Sequence, residues 1–462
     1  MMTRPANPFL TAPLGRIYLR TAGPLILLMG LHGSIAVADA WFLGRYVGPA
    51  ALAAVTVMFP FYMGLAALST LVSTGMSSVL ARHLGARRIE AARAVFAGAH
   101  GLSLLASASL ILAMLAVGEP LALLAAGGDP SLAKMGLGYL EATAFLSALF
   151  FLVAIHSDAV RNEGRIGFMT AMSVLVSGAN IAFDYVLIAE VGLGVVGSAV
   201  ATAAAQALAL TVISIYRVRA NTALNLGSLI RYRPTAQWGR VLALGAPQSL
   251  NFLGISLGSA TILVALQIAD PPNYEATISA YGLLTRLMIF AFLPLLGLSQ
   301  AMQSITGNNF GAGHQARTDA SLRTAVVAAL LYCGAVQVGL TVEAAGIGAL
   351  FTADATVIAE IARIIPIAFA AFALAGPQMI VAMHFTAIGD AARAGLLGLS
   401  KPYLFAIPLT FVLAAWVGEV GIWLAGPLAE LGLLGLTGVV LASRARATGL
   451  RWGLFYQAKT PA

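Results

Sequence analysis

The chain has 462 residues, 60% of them hydrophobic and 10% charged, against roughly 25% charged residues in an ordinary soluble domain. That balance excludes a water-soluble enzyme, and apolar runs of about 20 residues exclude an outer-membrane barrel, whose strands alternate apolar and polar. The formal net charge of +8, from 26 basic and 18 acidic residues, sits in the connectors between apolar runs, so membrane topology accounts for it and no nucleic-acid partner is expected.

Arg16 and Arg20, an apolar stretch and then Ala36 and Ala38 imitate a secretory signal. That reading fails because Pro24 and His32 interrupt the stretch, which is also longer than a usual signal core. Apolar runs between polar breaks predict twelve helices, at 18–44, 50–81, 94–117, 133–157, 167–189, 193–216, 241–268, 277–308, 323–346, 356–387, 395–416 and 420–442. Basic connectors (Arg82, Arg87, Arg88, Arg93; Arg161, Arg165; Arg217 to Arg240; Arg317, Arg323; Arg393, Lys401) fall on one side with both termini. Connectors with Glu119, Asp129, Glu190, Asp270, Glu275, Glu343, Asp354 and Glu419 fall on the other. The positive side is cytoplasmic, which places the protein in the plasma (inner) membrane with both termini inside. The lone Cys333 has no intrachain disulfide partner.

The polar connector at 217–240 divides the chain into an N-lobe (1–216, helices 1–6, holding a cation site) and a C-lobe (241–462, helices 7–12 and a cytoplasmic tail). It is the candidate hinge. TAGP at Thr21–Pro24 recurs as LGAP at Leu244–Pro247, and LGA at Leu84–Ala86 as FGA at Phe310–Ala312. A six-helix unit returns to its starting side, so a tandem copy keeps the same topology. The expected fold is an all-α membrane protein: twelve transmembrane helices in two pseudo-symmetric six-helix bundles around a central cavity.

Within the N-lobe, Asn180 and Asp184 are four residues apart and share one helical face. A carboxylate near mid-membrane is unfavourable by roughly 2.5–3.5 kcal/mol on insertion scales, so it is rarely kept without a partner or a task. Asp39 and Asp184 each lie six residues before the outer end of a helix, about 9 Å deep at 1.5 Å per residue, and Tyr139 and Thr202 enter at comparable depths. Such oxygens suit a hard monovalent cation, with Na⁺ held by Asp39, Asn180, Asp184 and Thr202. They equally suit a proton shared by the two carboxyl groups. The competing structural reading is two polar pairs stapling helices together. By the repeat, Asp39 corresponds to Ile262 and Asn180, Asp184 and Thr202 to Ile407, Phe411 and Ala429, so the second half is expected to lack an acidic copy.

ADAWFLGRYVGPAALAAV, STLVSTGMSSVLARHLGARRIEAAR, VGLGVVGSAVATAAAQ and LPLLGLSQAMQSITGNNFGAG together resemble the multidrug and toxic compound extrusion (MATE) family over nearly the whole chain. The set Asp39, Tyr139, Asn180, Asp184 and Thr202 resembles its DNA-damage-inducible F (DinF) type. The resemblance implies a secondary active antiporter, not an enzyme, exporting cationic or amphipathic drug-like compounds in exchange for H⁺ or Na⁺ and needing no cofactor. It also implies that Pro24 permits the first helix to bend. The chain lacks the intramembrane second-lobe carboxylates of the family's NorM type.

Met58, Tyr62, Gln248, Tyr281 and Arg286 are the candidate cavity residues; Met58 and Tyr62 belong to a Met and aromatic cluster with Phe59, Phe61 and Met63. Glu360 and Arg363, three apart, are expected to pair. The expected partners are small-molecule substrates and membrane lipid, with the protein a monomer. The alternative is a lipid-linked saccharide flippase of the same superfamily, which needs several basic residues in the cavity where this sequence offers Arg286. No H-E-x-x-H or activated-serine motif supports an intramembrane enzyme.

Overall fold

The computed structural model describes residues 7–220, 222–352 and 354–456; the side chains of His32 and Phe59, among a few others in the first two expected helices, lie outside the described set. Hydropathy builds the fold: ten helices are long and apolar enough to cross a membrane, or up to twelve if each of two bent pairs is one span. Helix α1 (Leu14–Phe42) runs through Pro24 and passes into a π-helical segment, Leu43–Val47. After a short helix at Pro49–Val57 come α2 (Phe59–Gly85) and α3 (Ile89–Ala125). Helices α4 (Pro130–Phe145) and α5 (Ser147–Asn162) meet at 48°. Helix α6 (Ile166–Asp184) continues as π-helical Tyr185–Glu190, and α7 (Gly194–Arg219) follows.

The same order of elements then recurs. Helices α8 (Trp238–Ala269), α9 (Tyr274–Gly311) and α10 (Gln315–Val342) precede a second bent pair, α11 (Ala355–Ala368) and α12 (Phe372–Ile388), at 47°. Helix α13 (Ala391–Leu399) runs through π-helical Ser400–Ala406 into α14 (Ile407–Val417), and α15 (Glu419–Thr448) closes the series. Both bent pairs start the same way. Asp129 accepts from the backbone N–H groups of Ser131 (2.8 Å) and Leu132 (3.2 Å), and Asp354 from those of Thr356 (2.8 Å) and Val357 (3.3 Å). Each satisfies donors that a helix start leaves free.

The second expected helix, 50–81, is interrupted at Met58, between the helix ending at Val57 and the one beginning at Phe59. Pro60 in the first turn of α2 is the local cause, because proline lacks an N–H and disfavours helical geometry in the residue before it.

The chain divides into two compact units. One comprises Leu19–Ser249 with the start of the chain up to Ala12; the other comprises Pro13–Tyr18 and the chain from Leu250 onward. In the first, α2 and α8 approach backbone to backbone. A Cβ on Gly245 would lie 1.8 Å from the Leu71 carbonyl oxygen, and one on Gly75 2.0 Å from that of Val241. Only glycine allows this approach.

The polar connector between α7 and α8 is bound down rather than loose. The buried Arg217 guanidinium donates to Glu163 Oε2 (3.1 Å), His156 Nδ1 (3.1 Å) and the Leu224 carbonyl (2.9 Å). Trp238 Nε1 donates to the Gly98 carbonyl at 2.7 Å. The connector therefore belongs to the first unit, where its short turn Ser228–Arg231 packs on α3.

Candidate functional site

The first unit gathers a cluster of oxygens near the ends of α1 and α6 and the start of α7. Asp184 closes α6 with no exposed surface, Asn180 one turn earlier is 2% exposed, and Asp39 on α1 is half-buried. The Asp39 and Asp184 carboxyl groups lie within hydrogen-bonding reach of each other. Ser198 on α7 donates to Asp39 Oδ2 at 2.9 Å, and Asn180 Nδ2 donates to Thr202 Oγ1 at 3.1 Å. Tyr62 on α2 and Tyr139 on α4 both stand close enough for the Asp39 charge to act on them. The five oxygen and amide residues expected from spacing thus fall in one neighbourhood, although Tyr139 contributes by field and packing rather than by a hydrogen bond to Asp39.

Local backbone geometry opens this space. Both carboxylate-bearing helices turn π-helical within four residues of the carboxylate, and the segments Leu43–Val47 and Tyr185–Glu190 pack on each other. A π turn widens the helix and frees backbone from the regular ladder, a feature enriched at functional sites. Phe42, Leu43, Met58, Tyr139, Leu140, Ile188 and Val195 form an apolar cluster beside the site.

Hydrogen-bond accounting shows what the site lacks. Asp39 Oδ1, Asn180 Oδ1 and both Asp184 oxygens are buried with no donor. Buried acceptors without a protein donor favour a proton or a cation placed among them. The set fits a proton shared by the carboxyl groups, or a monovalent cation held by carboxylate and amide oxygens. Among the described residues no group of three or more His, Cys, Asp or Glu side chains is placed to hold a metal, so the donor set is not that of a transition-metal centre.

The remaining candidates scatter. Met58 is fully buried in the apolar cluster, its methyl 2.5 Å from where a Cβ on Gly136 would lie. Gln248 on α8 is half-buried. Tyr281 is buried in the second unit, its hydroxyl on the Ser259 carbonyl (3.4 Å) and its ring 6.0 Å from Trp423. Arg286 is exposed on α9, on the same face as Ile289 and Phe290. Pro24 is half-buried within continuous α1. Glu360 and Arg363 do pair (2.5 Å), and the same Nη2 of the guanidinium also donates to Glu419 Oε1 (2.5 Å).

Ser198 was not anticipated, though a signal exists: it lies four residues before Thr202, hence on the same face of α7. Glu430 is a buried acid of the second half that the sequence reading did not single out. It lies one residue after Ala429, the counterpart of Thr202, and is 5% exposed. Lys401, expected in a cytoplasmic connector, lies inside the span Ala391–Val417 and pairs with it.

Apolar spans enclosing unpartnered carboxylates define a polytopic membrane protein built around a buried charge site, the class that contains ion-coupled transporters. Comparison makes the class specific: the MatE family profile matches residues 24–186 and 274–412. The chain belongs to the MATE family of transporters, and is a transporter rather than an enzyme. It is 25% identical over 440 residues to a FAD transporter of Shewanella oneidensis, covering 94% of this chain and 96% of that one. It is 24% identical over 404 residues to the multidrug export protein MepA of Staphylococcus haemolyticus, covering 86% and 85%. Among solved structures, a MATE protein in the bent conformation matches with a TM-score of 0.87 at 22% identity, over 96% of this chain and 98% of that one. A MOP superfamily transporter from Pyrococcus furiosus matches with 0.86 at 22% identity, over 98% and 100%. These structural likenesses establish the fold.

Proposed function

We propose that the protein is a secondary active efflux antiporter of the DinF type, exporting cationic or amphipathic drug-like compounds in exchange for H⁺ or Na⁺. In this reading its twelve crossings form the two six-helix bundles predicted from the sequence, with lobes at 1–216 and 241–462, the 217–240 connector and both termini on the cytoplasmic side of the plasma membrane, and it works as a monomer. The observation that carries the reading is the Asp39–Asp184 pair, which together with Asn180 presents four buried oxygens without a donor. Such a site changes charge when it takes up an ion, and only a ligand with different affinity for two conformations can drive one into the other. The turn of α1 that holds Asp39 lies beyond Pro24, where the missing N–H weakens the helix ladder. Ion uptake at Asp39 and bending of α1 are therefore linked in the proposal. One charge moving inward across about 100 mV supplies about 2.3 kcal/mol, enough for roughly fiftyfold accumulation.

The deciding experiment is efflux from proteoliposomes of a fluorescent cationic dye under imposed pH or Na⁺ gradients. Gradient-driven efflux by the parent, lost in Asp39→Asn and Asp184→Asn, supports the reading, and the effective gradient names the ion. Equal transport by parent and variants defeats it.

A second reading has its own observation. The relative from Shewanella oneidensis is a FAD transporter, and Arg286 is an exposed cation within the span Tyr274–Gly311. An anionic dinucleotide as substrate follows from that pair. FAD release from the same proteoliposomes, reduced by Arg286→Gln while dye efflux is absent, favours it over multidrug export. If the parent moves neither, a lipid-linked saccharide is the next substrate to test.

A further inference from the structure

The second unit holds a buried charge pair that the proposed transport cycle does not use. Glu430 on α15 is 7% exposed at its side chain, about 17 Å from the start of that helix at 1.5 Å per residue. One of its oxygens, Oε1, is paired with the Lys401 ammonium, and the other, Oε2, accepts from Gln378 Nε2 at 3.1 Å. Gln378 Nε2 also reaches the Glu430 carbonyl at 3.2 Å, while Gln378 Oε1 is buried without a donor. Lys401 lies over the Phe292 ring, 5.6 Å from its centroid, and its side chain is 33% exposed. It sits in the π-helical segment Ser400–Ala406, the third such segment among the described residues.

We propose that Glu430, positioned by Gln378, forms a second monovalent-cation site, of which the Lys401 ammonium is the built-in occupant. As in the first unit, a buried carboxylate stands beside a buried amide; here Gln378 Nε2 fixes the carboxylate and Glu430 Oε1 holds the ammonium. The difference is the source of the positive charge. Among the described residues of the first unit no side-chain cation is paired with the carboxylates; in the second the cation is covalently part of the chain. An ammonium on a four-carbon tether is at high effective concentration beside its carboxylate, so dissolved cations do not compete in the native protein. Removing the tether exposes the site to them. If the antiport reading holds, the consequence is that the second unit carries no ion across the membrane and the first sets the coupling ratio.

The test uses the full chain, purified in detergent, in an Asp39→Asn/Asp184→Asn background, so its outcome does not depend on the first-unit site. Into this background Lys401→Ala is introduced, which leaves room for the missing propylammonium group. Thermal unfolding is followed in n-propylammonium, sodium or choline chloride at equal ionic strength. The expected result is a saturable rise of several degrees with propylammonium or Na⁺ over choline. It should be absent when Lys401 is present and erased by Glu430→Gln. A response no greater than choline, or one that survives Glu430→Gln, overturns the proposal. Should Lys401→Ala not be recovered, it is grown and purified with propylammonium throughout, beside the neutral pair Lys401→Met/Glu430→Gln. Recovery dependent on the cation supports the site. Failure with and without it, whether or not the neutral pair folds, identifies a structural clasp and overturns it.

Discussion

The two units bury carboxylates at comparable places and neutralise them in opposite ways. In the first, Asp39 and Asp184 face each other with Ser198 as the only hydrogen-bond donor in reach among the described residues. In the second, Glu430 is bonded to Lys401 and Gln378. A buried charge with its partner covalently supplied is a settled structural element, whereas one without a partner must recruit a charge from solution. On the proposed antiport reading, one half responds to ions and the other is already satisfied.

The largest effect that sharpens this contrast is on transport. Neutralising either first-unit carboxylate is expected to abolish gradient-driven efflux in proteoliposomes, and the double Asp39→Asn/Asp184→Asn variant to be no worse than either single one. Non-additivity is the signature of residues acting as one unit; additive losses would mean two independent sites.

Next is stability, where the two units should respond with opposite sign. Lys401→Ala leaves Glu430 buried and unpaired, which costs on the order of 3 kcal/mol, at the low end of the range because Lys401 is a third exposed. Lys401→Met/Glu430→Gln should return to within about 1 kcal/mol of the parent, since a neutral pair carries no desolvation penalty. Asp184→Asn should hold or raise the unfolding midpoint, because it removes an unpartnered buried charge. Thermal unfolding of the purified variants without added coupling ion reads all three, and a fall with Asp184→Asn as large as with Lys401→Ala would erase the distinction.

A smaller effect concerns the frame that positions the first-unit site. Gly245→Ala pushes a methyl into the Leu71 carbonyl, 1.8 Å away, and backbone cannot yield as a side-chain tip does. A loss of about 1–3 kcal/mol is expected from overpacking, measured by denaturation. Gly239→Ala, where a Cβ meets nothing within 4 Å, is the control.

The smallest effect is expected at Ser198. Its hydroxyl occupies one Asp39 oxygen in competition with the driving ion, and a hydrogen bond to a charged group is worth about 1.5 kcal/mol. Ser198→Ala should lower the ion concentration for half-maximal efflux by up to roughly tenfold. A higher concentration instead would make the Ser198 hydroxyl a ligand of the ion.

Sequence by itself determined the membrane class, most helix positions and the proximity of Asn180 to Asp184, because hydropathy and the helical repeat act within one segment. It also placed Asp39 at the depth of Asp184, since depth along a helix is a count of residues. Only the tertiary structure decided which helices face one another. The Ser198–Asp39 bond spans 159 positions in the chain, and Lys401 reaches Glu430 across the turn between α14 and α15. Neither follows from periodicity. The π-helical segments that aim these side chains carry no hydropathy signal, because they change the backbone hydrogen-bond register without changing the apolar run. A lysine near a cytoplasmic end and a lysine bonded to a buried glutamate look alike in a single chain; what separates them is a partner brought in by another helix.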